Sequence, residues 1–202
     1  VQSVDTVSST RRIAMINMPI IAMYLKALNL PVDYPSANML INSSDTPRLV
    51  YNPNISYKAG WQQQNCFCYE ALLPLSMNND AVSKKILADL YNYTGITASL
   101  EKIKTSCLVL TTFKTQNSLP LFPANDQSHS MLSVDDLVYE LSHNSYAQPV
   151  FNDSGLKGFI PVRREWLANI DVLRSQLNRY GLTITTQERE TNMLVFSGKP
   201  IQ

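Results

Sequence analysis

The feature that most constrains this chain is a repeated handover from helix to strand. Gly95-Ile96-Thr97, leading to Lys104-Thr105-Ser106-Cys107-Leu108-Val109-Leu110, aligns without a gap with Gly181-Leu182-Thr183, leading to Glu190-Thr191-Asn192-Met193-Leu194-Val195-Phe196. A leucine-bearing helical pattern that ends in Tyr93 or Tyr180 precedes each glycine. Glycine at that place supplies the left-handed turn that stops a helix, and the apolar run beyond it supplies a strand. A weaker echo pairs Met18-Pro19-Ile20 with Leu132-Ser133-Val134, both at helix starts. Such a duplication predicts an α+β fold of two similar small lobes of βαββαββ type, each with two helices packed on one face of a small sheet. The expected bounds are a frayed segment over 1–10, a first lobe over 11–113, a link rich in Pro, Asn, Ser and Gln over 114–127, and a second lobe over 128–202.

Periodicity fills in the lobes. Arg12 to Asn17 reads as a strand, and Pro19 opens a helix carrying Ile20, Met23, Tyr24, Ala27 and Leu28 on one face. Met39 to Asn42 and Arg48 to Tyr51 read as short strands around Ser43-Ser44-Asp45, Asn52 to Gln64 as a loop, and Cys66 to Leu73 as a strand. A helix from Ala81 to Tyr93 takes its cap from Asn79 or Asp80. Beyond it, Ile96 to Leu100 and Cys107 to Thr111 form a hairpin-like pair. In the second lobe, Ser133 caps a helix over Val134 to His143. A strand at Pro149 to Phe151, a turn at Asn152 to Gly155 and a strand from Leu156 to Val162 follow, and Pro161 pushes the last toward a sheet edge. A helix over Ile170 to Tyr180 precedes strands at Leu182 to Thr186 and Met193 to Phe196.

Composition limits function more than it defines it. Hydrophobic residues make up 45% of the 202 and charged ones 16%, enough to fill a core. The net charge is +1 and the basic residues are scattered, densest at Arg11-Arg12 and Arg163-Arg164. Without a basic stripe to neutralise phosphates, no nucleic-acid partner is expected. The most apolar stretch, Ile13 to Val32, is broken by Asn17, Pro19, Lys26 and Asn29, so it reads as strand and helix and not as a membrane span. The chain begins at Val1, and a signal peptide or lipid anchor is expected to have been removed.

No catalytic set emerges. The two histidines, His129 and His143, have no Gly-x-Ser-x-Gly elbow to serve. Asp135-Asp136 fits the first turn of a helix, and Glu188-Arg189-Glu190 fits a solvated hairpin turn. No catalytic residue, cofactor or metal site is expected. The three cysteines leave at least one thiol unpaired in a monomer. Cys66-Phe67-Cys68 lacks the Cys-x-x-Cys spacing of a redox pair. A structural bridge from Cys66 or Cys68 to Cys107 is open if their strands are neighbours, and Cys68 with Cys107 is the pairing to look for. Tyr57 and Trp61, in a loop with Gly60, either anchor a partner or fold back over the sheet.

Pro149-Val150-Phe151-Asn152-Asp153-Ser154-Gly155-Leu156-Lys157-Gly158, with Glu165-Trp166 after it, resembles the Pro-Val-x-Asp-x-Thr-Gly-Leu-x-Gly run with a following Glu-Trp of a family of exported bacterial proteins of unknown function. That family was first noted in soil bacteria, and some relatives are fused behind a TlpA-type thioredoxin domain. Asn152 and Ser154 depart from the usual Asp and Thr. The resemblance implies export to the periplasm or cell surface and gives Asn152, Ser154, Gly155, Leu156 and Gly158 a structural role as the signature turn. The lobe pattern is also similar to the short N-terminal modules of secretins and TonB-dependent receptors. Together these set the expectation of a non-catalytic envelope module that binds an envelope protein or ligand. The alternatives are a thiol-linked accessory domain for a thioredoxin-like partner and an unrecognised envelope enzyme.

Overall fold

A computed structural model of the chain describes residues 2–42, 46–112, 130–144 and 148–198. The fold is α+β. Its strands are β1 (Gln2–Asp5), β2 (Thr10–Pro19), β3 (Met39–Asn42), β4 (Cys66–Pro74), β5 (Ile96–Thr112), β6 (Ser130–Ser133), β7 (Val150–Asn152), β8 (Phe159–Val162) and β9 (Leu182–Gly198). Its α-helices are α1 (Ile20–Ala27), α2 (Thr46–Leu49), α3 (Lys58–Asn65), α4 (Asn79–Thr94), α5 (Val134–Asn144) and α6 (Ile170–Leu177). The strands form three sheets, in the orders β1-β2-β4, β3-β9-β5-β7 and β6-β8.

The chain folds as two compact units, one made of Val1–Tyr34, Leu40–Leu100 and Leu194–Gln202, the other of Pro35–Met39 and Glu101–Met193. These interleaved segments differ from the sequential lobes expected at 11–113 and 128–202. The reason lies in β5 and β9. Each was expected as two short strands, and each is a single strand of 17 residues. The polar runs within them keep extended backbone, so each strand contributes one stretch to each unit. The expected link over 114–127 lies outside the described residues.

In the first unit, β2 pairs antiparallel with β1, from Gln2↔Ile13 to Asp5↔Thr10, and with β4, from Thr10↔Pro74 to Met15↔Tyr69. The register then shifts before Met18↔Phe67, and within that shift Asn17 takes a left-handed φ of 52°. Asparagine tolerates that conformation, which suits a bulge. Arg11 holds the entry to α4, donating to Asn79 Oδ1 (3.0 Å) and to the Met77 carbonyl (2.9 Å). Asn78, one residue before the expected caps, accepts the Ala81 N–H at 2.8 Å and starts α4. Helix α1 packs on α4. Tyr24, from α1, is buried edge-on to Phe196 (5.8 Å between centroids) and donates its hydroxyl hydrogen to the Ile96 carbonyl just past the end of α4.

In the second unit, β7 lies parallel to β5, with Leu108↔Val150 and Leu110↔Asn152 in register. The β6-β8 ribbon is antiparallel and pairs Met131 with Pro161. Pro161 thus sits on an edge strand, as its missing N–H demands. Ser133 caps α5: its Oγ accepts the Asp136 N–H (2.9 Å), and the Asp136 carboxylate accepts the Ser133 N–H (3.2 Å). That reciprocal pair is a capping box with aspartate in the glutamate place. Leu137 and Leu141 of α5 and Leu173 and Leu177 of α6 fill the core with Leu108, Leu110, Ile160 and Leu182.

Two local expectations fail between β3 and β4. Arg48 to Tyr51 is not a strand, since α2 takes Thr46–Leu49 with Leu49 buried. The expected loop over Asn52 to Gln64 holds α3, in which Trp61 and Asn65, four apart, are the buried side. The glutamine run and Gly60 hid that helix, because they carry no apolar stripe. Gly60 lies inside α3 with open space where a Cβ would sit. Gly60→Ala is therefore expected to stabilise the chain by about 0.5–1 kcal/mol, read as a higher urea midpoint. A lower midpoint would contradict a helix there.

Candidate functional site

A short stretch of the first unit builds an open cleft. After α2, Asn52 folds the chain back on itself. Its Oδ1 accepts the Asn54 N–H (2.9 Å), and its carbonyl accepts the N–H groups of Ile55 (3.1 Å) and Ser56 (3.3 Å). Tyr57 then enters α3 in extended conformation. One turn into α3, the Trp61 indole N–H reaches back to donate to the Pro47 carbonyl at 2.7 Å. The indole meets Tyr51 edge-on at 5.8 Å. Asn65 Nδ2 donates to the Trp61 carbonyl (2.9 Å). These bonds hold α2 and α3 about a cleft of about 290 Å³. Pro47, Ile55 and Trp61 are its apolar walls, and Arg48, Asn52, Ser56, Gln64 and Asn65 are its polar ones.

The two expected partner-contact residues divide here. Tyr57 is 80% exposed, whereas Trp61 is only 8% exposed and serves as the cleft wall. Ile55 beside it is 68% exposed, which is unusual for an isoleucine and continues the apolar surface outward. Sequence reasoning missed Arg48, Asn52, Gln64 and Asn65. Their only signal was density of amides near a tryptophan, which local composition does not distinguish from a loop.

The cysteines form no bridge. All three are free thiols. The expected Cys68–Cys107 bond is not made, because β4 pairs with β2 while β5 lies between β9 and β7 in another sheet. Cys68 is exposed, and its Sγ accepts the Asn17 N–H at 3.4 Å. Burial pushes the Cys66 thiol pKa up, away from thiolate chemistry. Cys107 is buried, its Sγ 3.4 Å from Thr191 Oγ1. Among the described residues, no three of His, Cys, Asp and Glu lie together so as to hold a metal ion. His143 stacks on Tyr139 at 3.9 Å near the end of α5, and His129 lies outside the described residues.

The signature turn is a structural knot of the second unit. Asn152 Oδ1 accepts both the N–H (3.1 Å) and the hydroxyl (2.6 Å) of Ser154, whose Oγ accepts the Leu156 N–H (3.2 Å). Gly155 has a φ of 65°, which strains any side chain. The Asp153 N–H donates to the Leu110 carbonyl (2.9 Å), and the Gly158 carbonyl accepts the Val134 N–H that opens α5 (3.1 Å). Asn152 also donates to Asp135 (3.2 Å). Arg189 forks onto the Asp153 carboxylate and lies over the Phe151 ring at 5.4 Å. Arg189 was expected in a solvated turn, but it stands in the middle of β9.

Arg189 holds the Asp153 carboxyl below the usual aspartate range, chiefly by hydrogen bonding. The ion pair's contribution is therefore complete above the unfolded value near pH 4 and is lost as pH falls through the lower folded value. Asp153→Asn is expected to lower the urea midpoint at neutral pH, with the gap to the parent closing on acidification below about pH 4. A gap that stays constant to pH 2 would contradict the ion pair.

No family model, no curated protein and no solved structure matches this chain. No helix among the described residues is long and apolar enough to cross a membrane.

Proposed function

We propose that this chain is a binding module of the bacterial cell envelope, in the periplasm or on the cell surface, and that it holds its partner at the Trp61 cleft. The cleft carries this reading. It is open, it is walled by an indole fixed through its own N–H, and its polar lining among the described residues is three amides, one hydroxyl and one guanidinium. Those groups orient a ligand by hydrogen bonds. Among the described residues that line the cleft, none is a carboxylate, an imidazole or a thiol. Tyr57 and Ile55 extend the surface outward, as the aromatic and aliphatic anchors of an interface do. The envelope setting is supported by the likeness of Pro149 to Gly158 to exported proteins. An envelope protein or ligand, rather than nucleic acid, suits the near-neutral charge.

Photo-crosslinking tests the reading. A benzophenone side chain in place of Tyr57 is expected to give a saturable adduct with an envelope component, while the same group in place of the exposed Tyr91, on α4, gives none. Ile55→Glu is expected to abolish the Tyr57 adduct without changing the fold. Equal labelling from both positions, or no adduct from either, would contradict it.

A further inference from the structure

We infer that the Trp61 cleft takes one sugar unit of a glycan chain. The inference rests on the reading of the cleft as a binding site and adds the class of ligand. It is carried by hydrogen-bonding capacity that the fold leaves unused on four lining side chains. Among the described residues, the side chains of Ser56 and Gln64 have no hydrogen-bond partner. Asn52 uses only its Oδ1, which accepts the Asn54 N–H, and Asn65 uses only its Nδ2, which donates to the Trp61 carbonyl. A hydroxyl, a whole amide, one amide donor and one amide oxygen are therefore left for a ligand. Two of these groups donate and accept at once, so the fitting ligand carries several groups that also do both. Sugar hydroxyls do, each with one O–H and two lone pairs. A peptide main chain offers one donor and one acceptor per residue and is taken up along a strand edge. Here the walls come from α2, α3 and the turn between them, and the carbonyls of Pro47 and Asn52 already accept bonds from within the chain. The volume of about 290 Å³ lies at the small end of ligand sites and suits one ring, with the rest of the chain running out through the open side. Ile55 in the wall and the exposed Tyr57 beyond Ser56 give apolar surface for the C–H face of a sugar ring to cover.

The Trp61 indole N–H gives a direct readout, because it is tied to Pro47 within the cleft. In a proton–nitrogen correlation spectrum its signal is told from that of Trp166 by a Trp166→Phe variant. The full chain is titrated separately with cellobiose, with N,N′-diacetylchitobiose and with acetyl-trialanine amide. At least one of the two disaccharides is expected to shift the Trp61 signal saturably, with an affinity about tenfold tighter than the tripeptide's. Gln64→Ala and Ser56→Ala are each expected to weaken that binding by about fivefold, the effect of one lost hydrogen bond. Gln62→Ala, on the same helix but outside the cleft lining, is expected to leave it unchanged. The rest of each spectrum reports whether the variant keeps the fold.

Tripeptide binding as tight as that of both disaccharides, or disaccharide binding that both Gln64→Ala and Ser56→Ala leave unchanged, would overturn the glycan assignment and leave the cleft as a binding site. No Trp61 shift with any of the three probes would also overturn it. The crosslinking from Tyr57 then decides separately whether the binding reading survives.

Discussion

Two left-handed glycines govern the course of the chain. Gly95 and Gly181 stand at φ values of 70° and 73°, each where a helical segment ends and a 17-residue strand begins. A side chain at either would cost about 1–2 kcal/mol in that conformation. The end of β9 comes back against the first of these stops: a Cβ on Gly198 would lie 2.2 Å from the Gly95 carbonyl oxygen. Tyr24 closes the same corner by bonding the Ile96 carbonyl and packing on Phe196. The first unit thus depends on a strand that belongs to the far end of the sequence.

The cleft depends on a smaller set of bonds. Asn52 turns the chain, Trp61 reaches back to Pro47, and Asn65 braces the Trp61 carbonyl. Each bond joins residues within one stretch between β3 and β4, so the site is built locally on the first unit. Among the described residues, its polar lining is Arg48, Asn52, Ser56, Gln64 and Asn65.

Much of the fold was legible in the sequence. Helices α1, α4, α5 and α6 declared themselves by apolar residues at helical spacing, and Ser133 and the two glycines marked their ends. The Asn152–Gly155 turn was legible because its side chains bond their own backbone, which is local chemistry. Helix α3 was not legible: the buried Trp61 and Asn65 make a stripe of only two residues, one of them polar. The continuity of β5 and β9 was hidden by the mostly polar runs at 101–106 and 187–190, which look like turns until a neighbouring strand holds them extended. The interleaved units and the placing of Cys68 and Cys107 on strands of different sheets are set by contacts between distant parts of the chain, which no local pattern reports. Of the site, sequence reading found Tyr57 and Trp61 and left open which of them would be exposed.

That a partner is held at the Trp61 cleft is tested most directly by hydroxyl-radical footprinting of the chain in the cells that make it against the purified chain. Protection is expected at Ile55 and Tyr57, while Val7 and Tyr93, which are also well exposed, stay as reactive as in the purified protein. Unchanged reactivity at Ile55 and Tyr57, or protection confined to other surfaces, would contradict it.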